Sequence, residues 1–135
     1  RGRVEEAARL LGRPYEIAGR VVPGKKRGRL LGYPTANLDT ANELLPEGIY
    51  ISETVKGRTA HPSVTSIGTN PTFGPNPLTV ETLLLDYRGS LYGAGVTVRL
   101  LRRLRRPRAF AGAEALSAAI ARDIAAAEDW FARRG

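Results

Sequence analysis

The stretches GVTVRLLRRL, residues 95–104, and LSAAIARDIAAAEDWF, residues 116–131, follow one another with different periods. The first is a β-branched, alternating run, the pattern of a strand. In the second, Leu116, Ile120, Ile124, Ala127 and Phe131 recur at helical spacing and form one stripe of a long amphipathic helix. Upstream, only the first kind of pattern is found over a long distance. IAGRVV (17–22), GIYISETV (48–55), SVTSI (63–67) and LTVETLLLDY (78–87) are β-branched or alternating runs, separated by Gly, Pro and Asn clusters. Thr35 and Asn37 lie on a further extended segment after Pro34, and their i, i+2 spacing points both side chains one way. Several short strands followed by one helix predict a mainly β fold, a closed antiparallel barrel with the helix packed against it. Pro62 belongs at a strand's edge or start, and His61 just before it reads as an exposed loop residue. At the other end, Val4, Ala7, Ala8 and Leu11 predict a short N-terminal helix, stopped by Gly12 and Pro14.

At 135 residues the chain fits one domain and is large enough to bury a core without staples. It has no cysteine, so it uses neither disulfides nor thiolate metal ligands. No apolar run reaches the roughly 20 residues of a membrane span, and no signal-peptide pattern opens the sequence. A soluble, cytoplasmic protein with no membrane partner is the expectation. The missing initial methionine points to a piece of a longer chain. Lysine and arginine outnumber acids 21 to 13, a net charge of +8. Much of that excess sits in Arg20–Arg29 and Arg99–Arg108, clusters that either attract phosphate or simply form a solvated arginine-rich surface.

Few residue types remain for chemistry. One histidine makes a histidine metal site or a catalytic triad untenable. Residues 19–26, GRVVPGKK, nearly spell a Walker A loop, but Lys26 stands where the Mg²⁺-binding hydroxyl belongs and no helix follows. The glycines at 24, 28 and 32, with Lys25, Lys26 and Arg29, read either as a backbone cradle for a polyphosphate or as a basic hairpin loop. Thr35 and Asn37 offer a hydroxyl and an amide oxygen, hard neutral ligands suited to Mg²⁺ shared with phosphates; the competing reading is a side-chain turn after Pro34. Glu81 lies in a strand apolar on both faces, so its carboxylate is not freely solvated. It is either a general base or the partner of an arginine.

GRVVPGKKRGRLLGYPTANL, EGIYISETV, SVTSIGTNPTFG, VETLLLDYRGSLYG, RLRRPRAF and EALSAAIARDIAAAE, in that order, resemble the riboflavin kinases. The resemblance is strongest to the C-terminal kinase module of the bacterial bifunctional riboflavin kinase/FMN adenylyltransferases (FAD synthetases), with P-T-A-N and a downstream V-E-T as its most specific marks. It implies a six-stranded, Greek-key antiparallel barrel with a long C-terminal helix. Residues 14–135 would form the kinase domain, and residues 1–13 the tail of a linker to an absent adenylyltransferase module. The implied activity is transfer of the ATP γ-phosphoryl group to the ribityl 5′-hydroxyl of riboflavin, giving FMN and ADP with Mg²⁺ as cofactor. By resemblance, Thr35 and Asn37 hold Mg²⁺ and the ATP phosphates, a flap containing Gly24 and Arg29 covers those phosphates, and Glu81 is the base. Further nucleotide contacts map to Leu84, Asp86 and Tyr92, and flavin contacts to Arg105, Arg108 and Phe110. The chain departs from the pattern at Leu83, where many relatives have histidine, and at Ser90, where an acid is frequent.

The rival reading is a basic β-barrel that binds RNA or single-stranded DNA. It needs exposed aromatics interleaved with basic residues on one strand. The sequence has nine aromatics and no such interleaving, so no nucleic-acid partner is expected.

Overall fold

In a computed structural model, the described residues are 15–22, 35–40, 46–68, 79–87, 91, 93–106 and 112–134. They form strands β1 (Tyr15–Val22), β2 (Thr35–Asp39), β3 (Gly48–Lys56), β4 (Thr59–Gly68), β5 (Thr79–Leu84) and β6 (Gly95–Arg105), then helix α1 (Ala113–Arg134). The expected N-terminal helix lies outside the described residues. All strand pairs are antiparallel, and the sheet closes in the order β1-β2-β5-β4-β3-β6. Strands β3, β4 and β5 are consecutive neighbours and β6 returns beside β3, which is the Greek-key arrangement.

Alternation along each strand sorts side chains into a barrel interior and an outer surface. The interior has two halves of different character. Ile17, Val21, Ala36, Leu38, Val96, Val98 and Leu100 line the β1, β2 and β6 side with hydrocarbon. On β3, β4 and β5 the interior includes five fully buried hydroxyls: Ser52, Thr54, Ser63, Thr65 and Thr82. These satisfy one another. Ser52 Oγ lies 2.7 Å from both Ser63 Oγ and Thr65 Oγ1, Thr54 donates to Ser63 at 3.0 Å, and Thr65 meets Thr82 at 2.9 Å. A hydroxyl ladder of this kind ties three strands in one register, because a one-residue slip would strand every member without a partner. Gly19 has a different task. A Cβ there would come within 2.7 Å of the Asp39 carbonyl oxygen, so only glycine lets β1 approach the end of β2 so closely.

A second apolar cluster lies outside the barrel. Ala127, Trp130 and Phe131 of α1 cover Ile49, Ile51 and Val64, with Leu85 and Leu104 at the margin. The helical stripe therefore caps the outer face of β3 and β4, as its period requires.

The strands match the expected runs, with one correction. β4 begins at Thr59, so Pro62 and His61 are inside a strand and His61 is not an exposed loop residue. His61 is half-buried, packs edge-on against Tyr87 with ring centroids 4.9 Å apart, and shares a hydrogen bond with Thr59 Oγ1. Pro62 stands where the β4–β5 ladder ends, its carbonyl accepting from the Leu85 N–H at 2.9 Å, so the missing proline N–H costs at most one terminal ladder bond.

Candidate active site

On β2, Ala36 and Leu38 are buried in the barrel, which turns Thr35 and Asn37 to the outer surface. The same logic on β5 sends Val80, Thr82 and Leu84 inward, and Glu81 and Leu83 outward. The register then brings the two outward sets together. Asn37 is the direct cross-strand partner of Glu81, and Thr35 that of Leu83. Directly opposed antiparallel residues hold their Cβ atoms about 4.5–5.5 Å apart. An amide, a hydroxyl and a carboxylate separated by more than 40 residues of sequence thus share one patch of the outer wall.

On its other side Glu81 faces Ser66 of β4, a polar neighbour absent from the sequence-based assignment. Leu83, two residues along the same face, is only 7% exposed and lies between Thr35 and Val64. It makes an apolar floor beside the half-buried Glu81. The row continues from Ser66 to Ile49 and on to Arg105 at the end of β6.

Arg105 does not project freely from this row. Its Nε and Nη2 donate to the two carboxylate oxygens of Asp123 on α1, at 3.0 and 2.8 Å. The arginines of β6 do not form a single basic stripe either. Arg99 pairs with Glu16 at 3.1 Å and has Glu53 at 3.9 Å, and all three are substantially exposed, so these contacts contribute little to stability. The β3–β6 register shifts twice between Ile49 and Ser52, which redistributes the side chains that follow. Arg103, opposite Tyr50, has its Nε buried without a hydrogen-bond partner and set against Gly48. Burial raises the pKa of Tyr50 above its ordinary 10.0, an effect partly opposed by Arg103.

Leu84 is fully buried in the barrel core, so any contact it makes with a ligand is through its main chain. Asp86, two residues further, is exposed. Gly24, Arg29, Tyr92, Arg108 and Phe110 lie outside the described residues. The sequence-based assignment also missed Asp123. Its signal was nonetheless present, since an acid between Ala119 and Ala127 on the stripe of an amphipathic helix is out of pattern.

A small closed barrel of this topology agrees with comparison to known proteins. The Flavokinase family, riboflavin kinase, matches residues 11–131, and the chain belongs to that family. A bifunctional riboflavin kinase/FMN adenylyltransferase from Pseudomonas fluorescens is 44% identical over 124 residues, 90% of this chain and 40% of that protein. An RNA-binding riboflavin kinase, RibR, from Bacillus subtilis is 38% identical over 109 residues, 80% of this chain and 47% of that protein. The crystal structure of riboflavin kinase from Trypanosoma brucei superposes with a TM-score of 0.59 at 25% identity, covering 87% of this chain and 80% of that one. The chain thus spans about two fifths of the length of the bifunctional relative.

Proposed function

We propose that this chain transfers the γ-phosphoryl group of ATP to the ribityl 5′-hydroxyl of riboflavin, releasing FMN and ADP. The observation that carries the reading is the register that sets Asn37 beside Glu81, with Thr35 on the same face. Phosphoryl transfer depends more on positioning and charge neutralisation than on covalent participation by the protein. Glu81 accepts the proton of the 5′-hydroxyl as its oxygen attacks phosphorus and the bond to the ADP oxygen breaks. General-base help of this sort contributes about 10²–10⁴-fold. The apolar Leu83 limits water around the carboxylate.

The donor set fits Mg²⁺. Thr35 and Asn37 present neutral oxygen atoms, and Mg²⁺ takes few protein oxygens beside phosphates and water. When bound, the cation neutralises charge developing on the phosphates. Thr35 and Asn37 would hold it, Gly24 and Arg29 would cover the phosphates, and Asp86 and Tyr92 would contact the nucleotide together with the main chain of Leu84. Arg105, Arg108 and Phe110 would contact the flavin. This assignment extends the family resemblance residue by residue. The bifunctional relative supports a further proposal, that residues 1–13 lead to an adenylyltransferase module in the full-length protein and that the enzyme works in the cytoplasm, where ATP is supplied.

Nucleic-acid binding is the weaker reading for this domain. Among the described strand residues the aromatics are Tyr15, Tyr50 and His61; the tyrosines pack in or against the barrel core and His61 packs edge-on against Tyr87, which leaves no stacking platform there. RibR carries RNA binding in its name together with the kinase activity, so the two functions are compatible within the family. The metal assignment is tested by titrating Mg²⁺ into wild type and Asn37→Ala with ATP and riboflavin present. Wild type should saturate, and the variant should lose nearly all turnover and its Mg²⁺ response. An Asn37→Ala protein with wild-type rate and metal dependence would contradict the assignment.

A further inference from the structure

We infer that Asp123, on the buried face of α1, is a positioning residue for flavin recognition and acts by fixing the guanidinium of Arg105. The inference rests on the proposed riboflavin kinase reading, in which Arg105 meets the flavin. Asp123 is 7% exposed and sits one turn from Ala119 and one from Ala127, both buried. Those small side chains leave room for a guanidinium to reach the helix. The contact is a fork, with Nε and Nη2 of Arg105 donating in parallel to Oδ1 and Oδ2 of Asp123.

Helix docking alone does not explain this pair. The rest of the interface is apolar, built from Ile49, Ile51, Val64, Ala127, Trp130 and Phe131. A hydrophobic residue at 123 would serve that interface at least as well, because replacing a buried ion pair by apolar groups is often neutral or stabilising. What the fork does supply is orientation. It locks a side chain with four rotatable bonds into one planar geometry. Arg105 needs that geometry because it ends β6, on the outer row that also carries Ser66, Glu81 and Asn37. The helix thereby sets the direction of a binding group that a strand terminus alone would leave variable.

The test measures riboflavin affinity by flavin fluorescence quenching, and KM for riboflavin and for ATP separately, in three variants. Asp123→Asn keeps Arg105 but removes the charged half of the fork. Arg105→Met/Asp123→Leu replaces the pair with hydrocarbon so that the helix stays docked. Asp123→Glu restores the charge at a longer reach. Loss of an oriented, charged hydrogen bond predicts riboflavin Kd and KM raised about ten- to a hundredfold in the first two variants. KM for ATP should stay within about twofold, and Asp123→Glu should recover part of the loss. A folded double variant with wild-type riboflavin Kd and KM would overturn the inference while leaving the kinase reading intact. So would an Asp123→Asn protein that changes in melting temperature alone. A wild-type chain that neither binds riboflavin nor forms FMN would overturn the kinase reading, and the inference with it.

Discussion

In the proposed reaction Glu81 accepts a proton during turnover, beside the apolar floor that Leu83 provides. Its placement between Asn37 and Ser66 gives the carboxylate polar neighbours on both sides of the strand. Glu81→Gln preserves size and much of the hydrogen bonding but cannot take the proton. Turnover should fall about 10²-fold or more, with ATP and riboflavin still binding and the melting temperature nearly unchanged. If Glu81 served only as the buried partner of an arginine, the same change would instead destabilise the fold by about 3–5 kcal/mol. Thermal unfolding and single-turnover rates together separate the two outcomes. At this scale much of the candidate site was legible in the sequence. Thr35 and Asn37 announce a shared direction by their spacing, and Glu81 stands out as an acid in an apolar strand. Their meeting was not legible from spacing, since it depends on the pairing of β2 with β5. Ser66 was missed for the same reason, since its cross-strand neighbour is not written in local pattern, and although Asp123 stands out on its stripe, its pairing with Arg105 does not.

Among the elements, the strands were read from alternation and the helix from its 3.6-residue stripe, because burial imposes those periods directly. The boundary of β4 was not. Proline and histidine look like a turn locally, yet here pairing with β3 carries the strand through them to a tight turn at Gly57 and Arg58. The hydroxyl ladder was equally invisible, because serines and threonines on alternate positions read as a solvent-facing side of a strand. Its contribution is testable. Thr65 joins Ser52 to Thr82, so Thr65→Val keeps the shape and leaves Thr82 Oγ1 without its observed partner. Destabilisation of about 1–3 kcal/mol is the expected result in urea unfolding, with the family of β3, β4 and β5 contacts loosened first. A Thr65→Val protein as stable as wild type would mean that the ladder does not hold these strands.

For the molecule as a whole, the barrel separates two tasks. Its interior, half hydrocarbon and half hydroxyl, holds register, while its outer wall is divided between a helix-covered patch and the Asn37–Glu81 row. Among the described residues no helix is long and apolar enough to cross a membrane. Among the described residues, the part of the basic charge carried by β6 is spread over different faces of the strand, some of it paired with Glu16 and Asp123. A chain organised this way should act as a catalyst on its own. The most direct test incubates this chain with ATP, Mg²⁺ and riboflavin, and follows FMN and ADP by chromatography. FMN and ADP should accumulate in equal amounts, only when riboflavin is present, and both should form about 10²-fold or more slowly in Glu81→Gln. ADP release independent of riboflavin, or no FMN from a folded chain that instead shifts RNA in a salt-sensitive manner, would contradict the account.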